Sequence, residues 1–344
     1  MSWYNTVGPC PEHVLFSKVK YIRNVSRIPF YSQADSKHCE EVMNKIDKLL
    51  AAGGFKKESL GRGRLPSVLA LAEKQLVDAD LTESDLSRFI YLNEPCNMLV
   101  ATGGRDLISI QSAVAGQAVR EARNIASGAE QMLDGELDFS YSDSIGYLSR
   151  DVHKCGSGVE FSAALYLPSI RFDGNGLSLF AEAQRVGARL YPMFSFKENE
   201  GDVYVLSYTP PYLCDEDAAT DFFASLVEKM TVIEKSRERM FFPESSKIII
   251  DCAYRALGIL SCARQLSLPE LLSFLSDIRL ALCLGDNSLS SLPELTNLNF
   301  MLAEGQDCSV ISSSTQKCLS GDDLDAMRAA FIGKYISSRV KRGA

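Results

Sequence analysis

The feature that most limits what this chain can fold into is a change of periodicity near residue 242. Before it, runs with the two-residue alternation of β-strands are mixed with helical stretches; after "FFPESS" helix follows helix to the end. "HVLFSKVKYI" alternates, which sets Phe16, Lys18, Lys20 and Ile22 on one face and Leu15, Ser17, Val19 and Tyr21 on the other. "YLNEPCNMLV" reads as a strand that breaks at Pro95 before an apolar run resumes. Further strands are predicted at "VEFSAALYLPSI", "RLYPMFSF" and "DVYVLSY", the last stopped by Pro210 and Pro211. Between Asp106 and Leu133 the residues Ile110, Val114, Val119, Ala122, Ile125, Ala126, Ala129 and Met132 recur at helical spacing, and "DGE" supplies a stop, so that stretch is predicted to be helical. Helices are also predicted over 217–240, 247–265, 268–284 with Ser267 as cap, 291–303 and 322–339. The expectation is an α+β domain over 1–241 followed by an all-helical domain over 242–344.

A chain of 344 residues, 46% apolar, can bury a sizeable core. Its formal net charge of -8 argues against a general nucleic-acid or anionic-membrane binder. The first thirty residues lack a basic start followed by an apolar run, and no stretch has the length and apolarity of a membrane helix, so the cytoplasm is the expected location. Ten scattered cysteines without a C-x-x-C pair suit reduced thiols, and three histidines, His13, His38 and His153, predict no zinc site of ordinary spacing.

Several stretches, in order, carry a resemblance. "GPCPEHVLFSKVKYIRNVSRIPF" and "IGYLSRDVHKCGSGVEFSAALYLPSI" are similar to segments of the guanidino phosphotransferases, the group of creatine and arginine kinases. "AYRALGILSCARQLSLPELLSFLSDIRLALCLG" and "LDAMRAAFIG" resemble the C-terminal domain found in bacterial protein-arginine kinases of the McsB type. The resemblance implies an antiparallel sheet flanked by helices, a small all-helical C-terminal domain, a dimer and a place in protein quality control. The family's activity is phosphoryl transfer from ATP with magnesium to a guanidinium, which needs cations on the triphosphate and a carboxylate on the guanidinium.

Carried over position by position, the resemblance shows altered chemistry. Two phosphate-gripping arginines of the early strand are Lys18 and Lys20, point charges where the family has bidentate forks. The family's Asn-Glu-Glu-Asp-His segment reads Asn93, Glu94, Pro95, Cys96 and Asn97, which puts proline at the catalytic base and leaves Glu94 as a remnant; the arginine beyond it is Leu99. The Cys-Pro-Thr-Asn loop is Asp151, Val152, His153 and Lys154, and a later arginine is Glu160, a reversal of sign. The Arg-Gly loop places its arginine at Leu190 or Tyr191 and its glutamate near Ser195 or Phe196, with Glu198 or Glu200 as substitutes in a shifted loop. At the C-terminal helix, Asp325 and Arg328 lie on one face, a pairing suited to phosphoarginine, while Leu324 removes one phosphate ligand.

The expectation is therefore a catalytically degenerate homologue that needs no cofactor and binds a protein partner or phosphoarginine-bearing chains. Two alternatives stand beside it: an active ATP- and Mg2+-dependent protein-arginine kinase with a rearranged site, and a self-assembling scaffold, as a homodimer or higher oligomer.

Overall fold

The computed structural model describes residues 2–28, 37–59, 65–77, 89–173, 177–194, 201–212, 214–242, 246–284, 292–312 and 321–339. In chain order the elements are β1 (Val14–Arg23), α1 (Lys37–Ala52), β2 (Lys56–Ser59), α2 (Leu65–Glu73), β3 (Phe89–Leu92), β4 (Met98–Thr102), β5 (Ile108–Ala115) and α3 (Val119–Asp134). A small hairpin follows, β6 (Tyr141–Ser142) and β7 (Gly146–Tyr147), then β8 (Val159–Tyr166), α4 (Ser169–Asp173), α5 (Leu177–Arg185), β9 (Arg189–Pro192) and β10 (Val203–Tyr208). The remainder is helical: α6 (Glu216–Phe241), α7 (Ser246–Cys262), α8 (Leu268–Cys283), α9 (Leu295–Glu304), α10 (Asp307–Ser312) and α11 (Gly321–Arg339).

Eight of the strands form one antiparallel sheet in the order β2-β3-β4-β5-β1-β8-β10-β9. Every residue of β1 is buried, because this near-central strand is covered on both faces. On one side Val19, Tyr21, Phe161 and Leu206 pack with Ile46 and Leu50 of α1, Ala122 and Ala126 of α3, Leu179 of α5 and Phe223 of α6. On the other, Phe16, Ala113, Ala164 and Tyr166 share a core with Trp3 and with Ala253, Leu271, Leu302 and Ile332 of the later helices.

That second core runs from the sheet into the helical region without a break, and polar contacts follow the same route. The Tyr166 hydroxyl donates to the Ser276 carbonyl at 2.9 Å, and Ser276 Oγ donates to Asp202 at 2.6 Å. Burial raises the Asp202 carboxyl above its usual range, opposed by the Arg171 guanidinium at 3.1 Å.

Three expectations change. The stretch from Asp106 to Leu133 is not one helix: Ile108–Ala115 is strand β5, and only Val119 onward is helical. A strand paired on both edges and covered on both faces need not alternate, so Ile110 and Val114 fell into helical spacing with the true helix. The chain turns between the two at Gly116, where φ is +70° and a Cβ would lie 2.4 Å from the Pro9 carbonyl oxygen. Leu15 joins the same core as Phe16, because the pairing of β1 with β8 is irregular between Val14 and Phe16. The "VEFSAALYLPSI" run leaves the strand at Tyr166 and enters helix α4 at Ser169.

Candidate functional site

Residues paired directly across a sheet point to the same side. One such row is Leu99, Gln111, Lys20 and Glu160; the next is Ala113, Lys18, Ser162 and Ser207. The structure thus brings together Lys18, Lys20, Glu160 and Leu99, which lie far apart in sequence.

Lys18 and Lys20 are only 9% and 6% exposed, so each ammonium has lost most of its water and needs protein partners. Lys18 Nζ donates to the Gln75 carbonyl at 3.2 Å. Lys20 has Glu160 directly across the strand pair. An acid directly across from a buried lysine offsets its charge.

Gln75 belongs to a short segment after α2 that is tied down residue by residue. The Glu73 carboxylate accepts from the backbone N–H of Cys308 at 2.9 Å and of Ser309 at 2.8 Å, at the start of α10. Lys74 Nζ lies 2.8 Å from Glu304, and the Lys74 carbonyl accepts from Trp3 Nε1 at 2.9 Å. Leu76 enters the second core. Beside this segment is a shallow depression open to solvent, with no enclosed room for a ligand, lined by Gln75, Leu76, Cys96, Leu99 and Gln111 among others. Tyr4 is buried in the second core, and burial pushes its phenol up to about 12.

The question raised by Pro95 has a local answer. Residues 93–97 are the tip of the β3–β4 hairpin, where Asn93 Oδ1 accepts from the backbone N–H of Asn97 at 3.1 Å and of Met98 at 3.0 Å. The asparagine side chain builds the turn, and a residue without an N–H fits at its apex. Glu94, Pro95 and Cys96 are all exposed there. Leu99, in contrast, is 1% exposed and packs with Val77, Ile90 and Ala101.

Other sequence candidates are placed as follows. Asp151 is exposed, beside a short 3-10 turn at Val152–Lys154. Leu190 is buried in the first core and Tyr191 is exposed; Ser195, Phe196, Glu198 and Glu200 lie outside the described residues. Arg328 is 1% exposed, and its guanidinium is already engaged: Nε donates to the Gly305 carbonyl at 2.8 Å, and Nη1 to the Leu266 carbonyl at 2.7 Å and to Asp325 at 2.6 Å. Nη2 donates to Asp307. These bonds tie α11 to the turns before α8 and α10.

Sequence reasoning missed Gln75 and Asp106. Asp106 Oδ1 gathers Asn24 Nδ2 at 2.8 Å, Ser149 Oγ at 2.9 Å and the Arg150 N–H at 3.1 Å, and so fixes the loop after β7. Neither residue lies in a local motif, so no pattern within a window of the sequence marks it.

With this geometry in place, comparison with known proteins assigns the class. The family model of the ATP:guanido phosphotransferase C-terminal catalytic domain matches residues 40–236. Solved structures with the same fold include lombricine kinase, at TM-score 0.55 and 17% identity over 67% of this chain and 68% of that one. A taurocyamine kinase from Schistosoma mansoni gives TM-score 0.55 and 18% identity over 63% of this chain and 32% of that one. The chain belongs to the ATP:guanido phosphotransferase family. Residues 246–342 match the protein-arginine kinase McsB C-terminal domain. Relatives include the protein-arginine kinases of Bacillus pumilus, 24% identical over 99% of this chain and 94% of that one, and of Pelotomaculum thermopropionicum, 23% identical over 81% and 80%. No helix among the described residues is long and apolar enough to cross a membrane.

Proposed function

We propose that this chain is a protein-arginine kinase homologue that has lost phosphoryl transfer and works by binding a protein partner. The observation that carries the reading is the state of the two lysines on β1. Lys18 donates to the Gln75 carbonyl, and Lys20 faces Glu160, so neither position offers the paired forks a triphosphate needs. Pro95 at the base position and Leu99 in an apolar cluster support it. At about 4 Å and an effective dielectric near 20, a charge pair is worth roughly 4 kcal/mol, so an acid in place of a phosphate-binding arginine outweighs much of a micromolar affinity of about 8 kcal/mol. The apolar frame is kept while the polar positions change, as expected where packing is needed and transfer is not. The division into a phosphotransferase-like domain over 1–241 and a helical domain over 242–344 belongs to this reading, with a joint core that makes the pair one platform.

A second reading, an active kinase with a rearranged site based on Glu94 or a glutamate of the 198–200 loop, is favoured by the near full-length match to the Bacillus pumilus protein-arginine kinase. Thermal unfolding with and without Mg-ATP separates the two. A ligand at a hundred times its dissociation constant adds about 2.7 kcal/mol. The proposal predicts an unchanged midpoint in millimolar Mg-ATP, and a clear rise would overturn it.

A further inference from the structure

We propose that His13, Glu238 and Cys283 form a binding site for one divalent transition metal of the zinc class. The three residues are far apart in sequence and come from three elements: the residue before β1, the last turn of α6 and the end of α8. One ligand atom from each lies within 4.8 Å of the others. His13 Nε2 and Glu238 Oε2 are 3.4 Å apart. That is long for an N–H···O bond, which spans about 2.7–3.2 Å. It equals the edge, about 3.4 Å, between two ligands held about 2.0–2.2 Å from a tetrahedral zinc.

A second, independent observation points to a ligand. Glu238 Oε1, the second oxygen of the same carboxylate, is buried without a hydrogen-bond partner, and His13 is only 2% exposed. Buried polar atoms without partners cost stability unless a bound group meets them. A dication favours carboxylate, neutral imidazole and thiolate donors, the three this cluster supplies.

The surroundings tolerate the added charge. Arg279 and Lys235 bring positive charge near the cluster, and Glu12 and Glu234 bring negative charge. The Arg279 guanidinium is itself turned to the Pro11 carbonyl at 3.1 Å, the Glu12 carbonyl at 3.4 Å and Asn299. A nitrogen, oxygen and sulfur donor set suits zinc and excludes magnesium and calcium, which prefer oxygen alone. Three protein ligands leave one position for water. The metal would clip the sheet to the long helix and to the helical region, a structural role. Such a site lies outside the ordinary histidine and cysteine spacings, because its ligands come from separate elements.

The test uses the full chain, freed of metal with a chelator and titrated with Co2+ as a visible probe. The expected result is one equivalent bound per chain, with tetrahedral d–d bands and a thiolate-to-cobalt charge-transfer band that Zn2+ displaces. Cys283→Ser should remove the charge-transfer band, and Glu238→Gln should weaken zinc at least about a hundredfold. A variant with the exposed Cys96, Cys214, Cys252 and Cys262 changed to serine should keep the band. No band in the unaltered chain, or a band that survives Cys283→Ser, would overturn the proposal. Should both ligand variants fail to fold, X-ray absorption of the zinc-loaded unaltered chain decides: one sulfur with nitrogen and oxygen neighbours supports it, and zero or several sulfurs overturn it.

Discussion

In the register of β1 against β8, Lys20 stands directly opposite Glu160. The pair sets an acid against a buried lysine and so compensates its charge locally. Opposite charges across an antiparallel pair stabilise by about 0.2–1 kcal/mol, and like charges destabilise. Glu160→Arg should therefore lower stability by about 1 kcal/mol in urea unfolding. It should also leave the chain without a thermal response to Mg-ATP, because Lys18, Pro95 and Leu99 remain as they are. A nucleotide response gained by this single change would show that one charge alone kept ATP out.

Arg328 makes a separate prediction. Its guanidinium serves two carbonyls and two carboxylates from a position 1% exposed, whereas Asp325 and Asp307 are 33% and 49% exposed. In Arg328→Met the acids rehydrate but the carbonyls of the buried residues Leu266 and Gly305 lose their donor. The expected cost is about 3 kcal/mol, measured by denaturant unfolding, and Asp325→Ala should cost about 1 kcal/mol. A phosphoarginine peptide should bind Asp325→Ala as it binds the unaltered chain. A loss of peptide affinity in a folded Asp325→Ala would support the ligand reading of this helix.

Much of the architecture was legible because it is written locally. Alternation marked β1, Ser267 as cap marked the start of α8, and the run after Asp217 marked α6. Strand β5 was not, since burial on both faces removes the alternation that separates strand from helix, and α10, six residues long, is too short for a periodic signal. The two adjacent rows that hold Lys18, Lys20, Leu99 and Glu160 were approachable through the family resemblance. What those residues touch was not: the lysine at 18 meets a carbonyl at 75, and His13 meets Glu238. Such contacts are set by tertiary packing over long sequence separations, which no window of residues encodes.

The capping box of α8 gives the pH prediction. Ser267 Oγ accepts from the Glu270 N–H at 3.4 Å, and the Glu270 carboxylate accepts from the Ser267 N–H at 3.0 Å and its hydroxyl at 2.7 Å. These donors lower the Glu270 carboxyl below its ordinary value. A depressed acid binds protons more weakly folded than unfolded, so its stabilisation is full above the unfolded value and is lost as pH falls through the folded one. Glu270→Gln should flatten that part of the acid limb of stability, and Ser267→Ala should cost about 1 kcal/mol near neutral pH. An acid limb identical in Glu270→Gln and the unaltered chain would contradict the assignment.

The central claim is that this member of the family no longer transfers a phosphoryl group, and its most direct test is a transfer assay. Labelled ATP, magnesium and an arginine-rich unfolded protein are incubated with the chain, and acid-labile label retained on protein is counted, with Glu94→Gln alongside. The account predicts no label above background in either sample. Label that forms with the unaltered chain and vanishes in Glu94→Gln would contradict it, and would make the exposed glutamate beside Pro95 the base of a rearranged, working kinase.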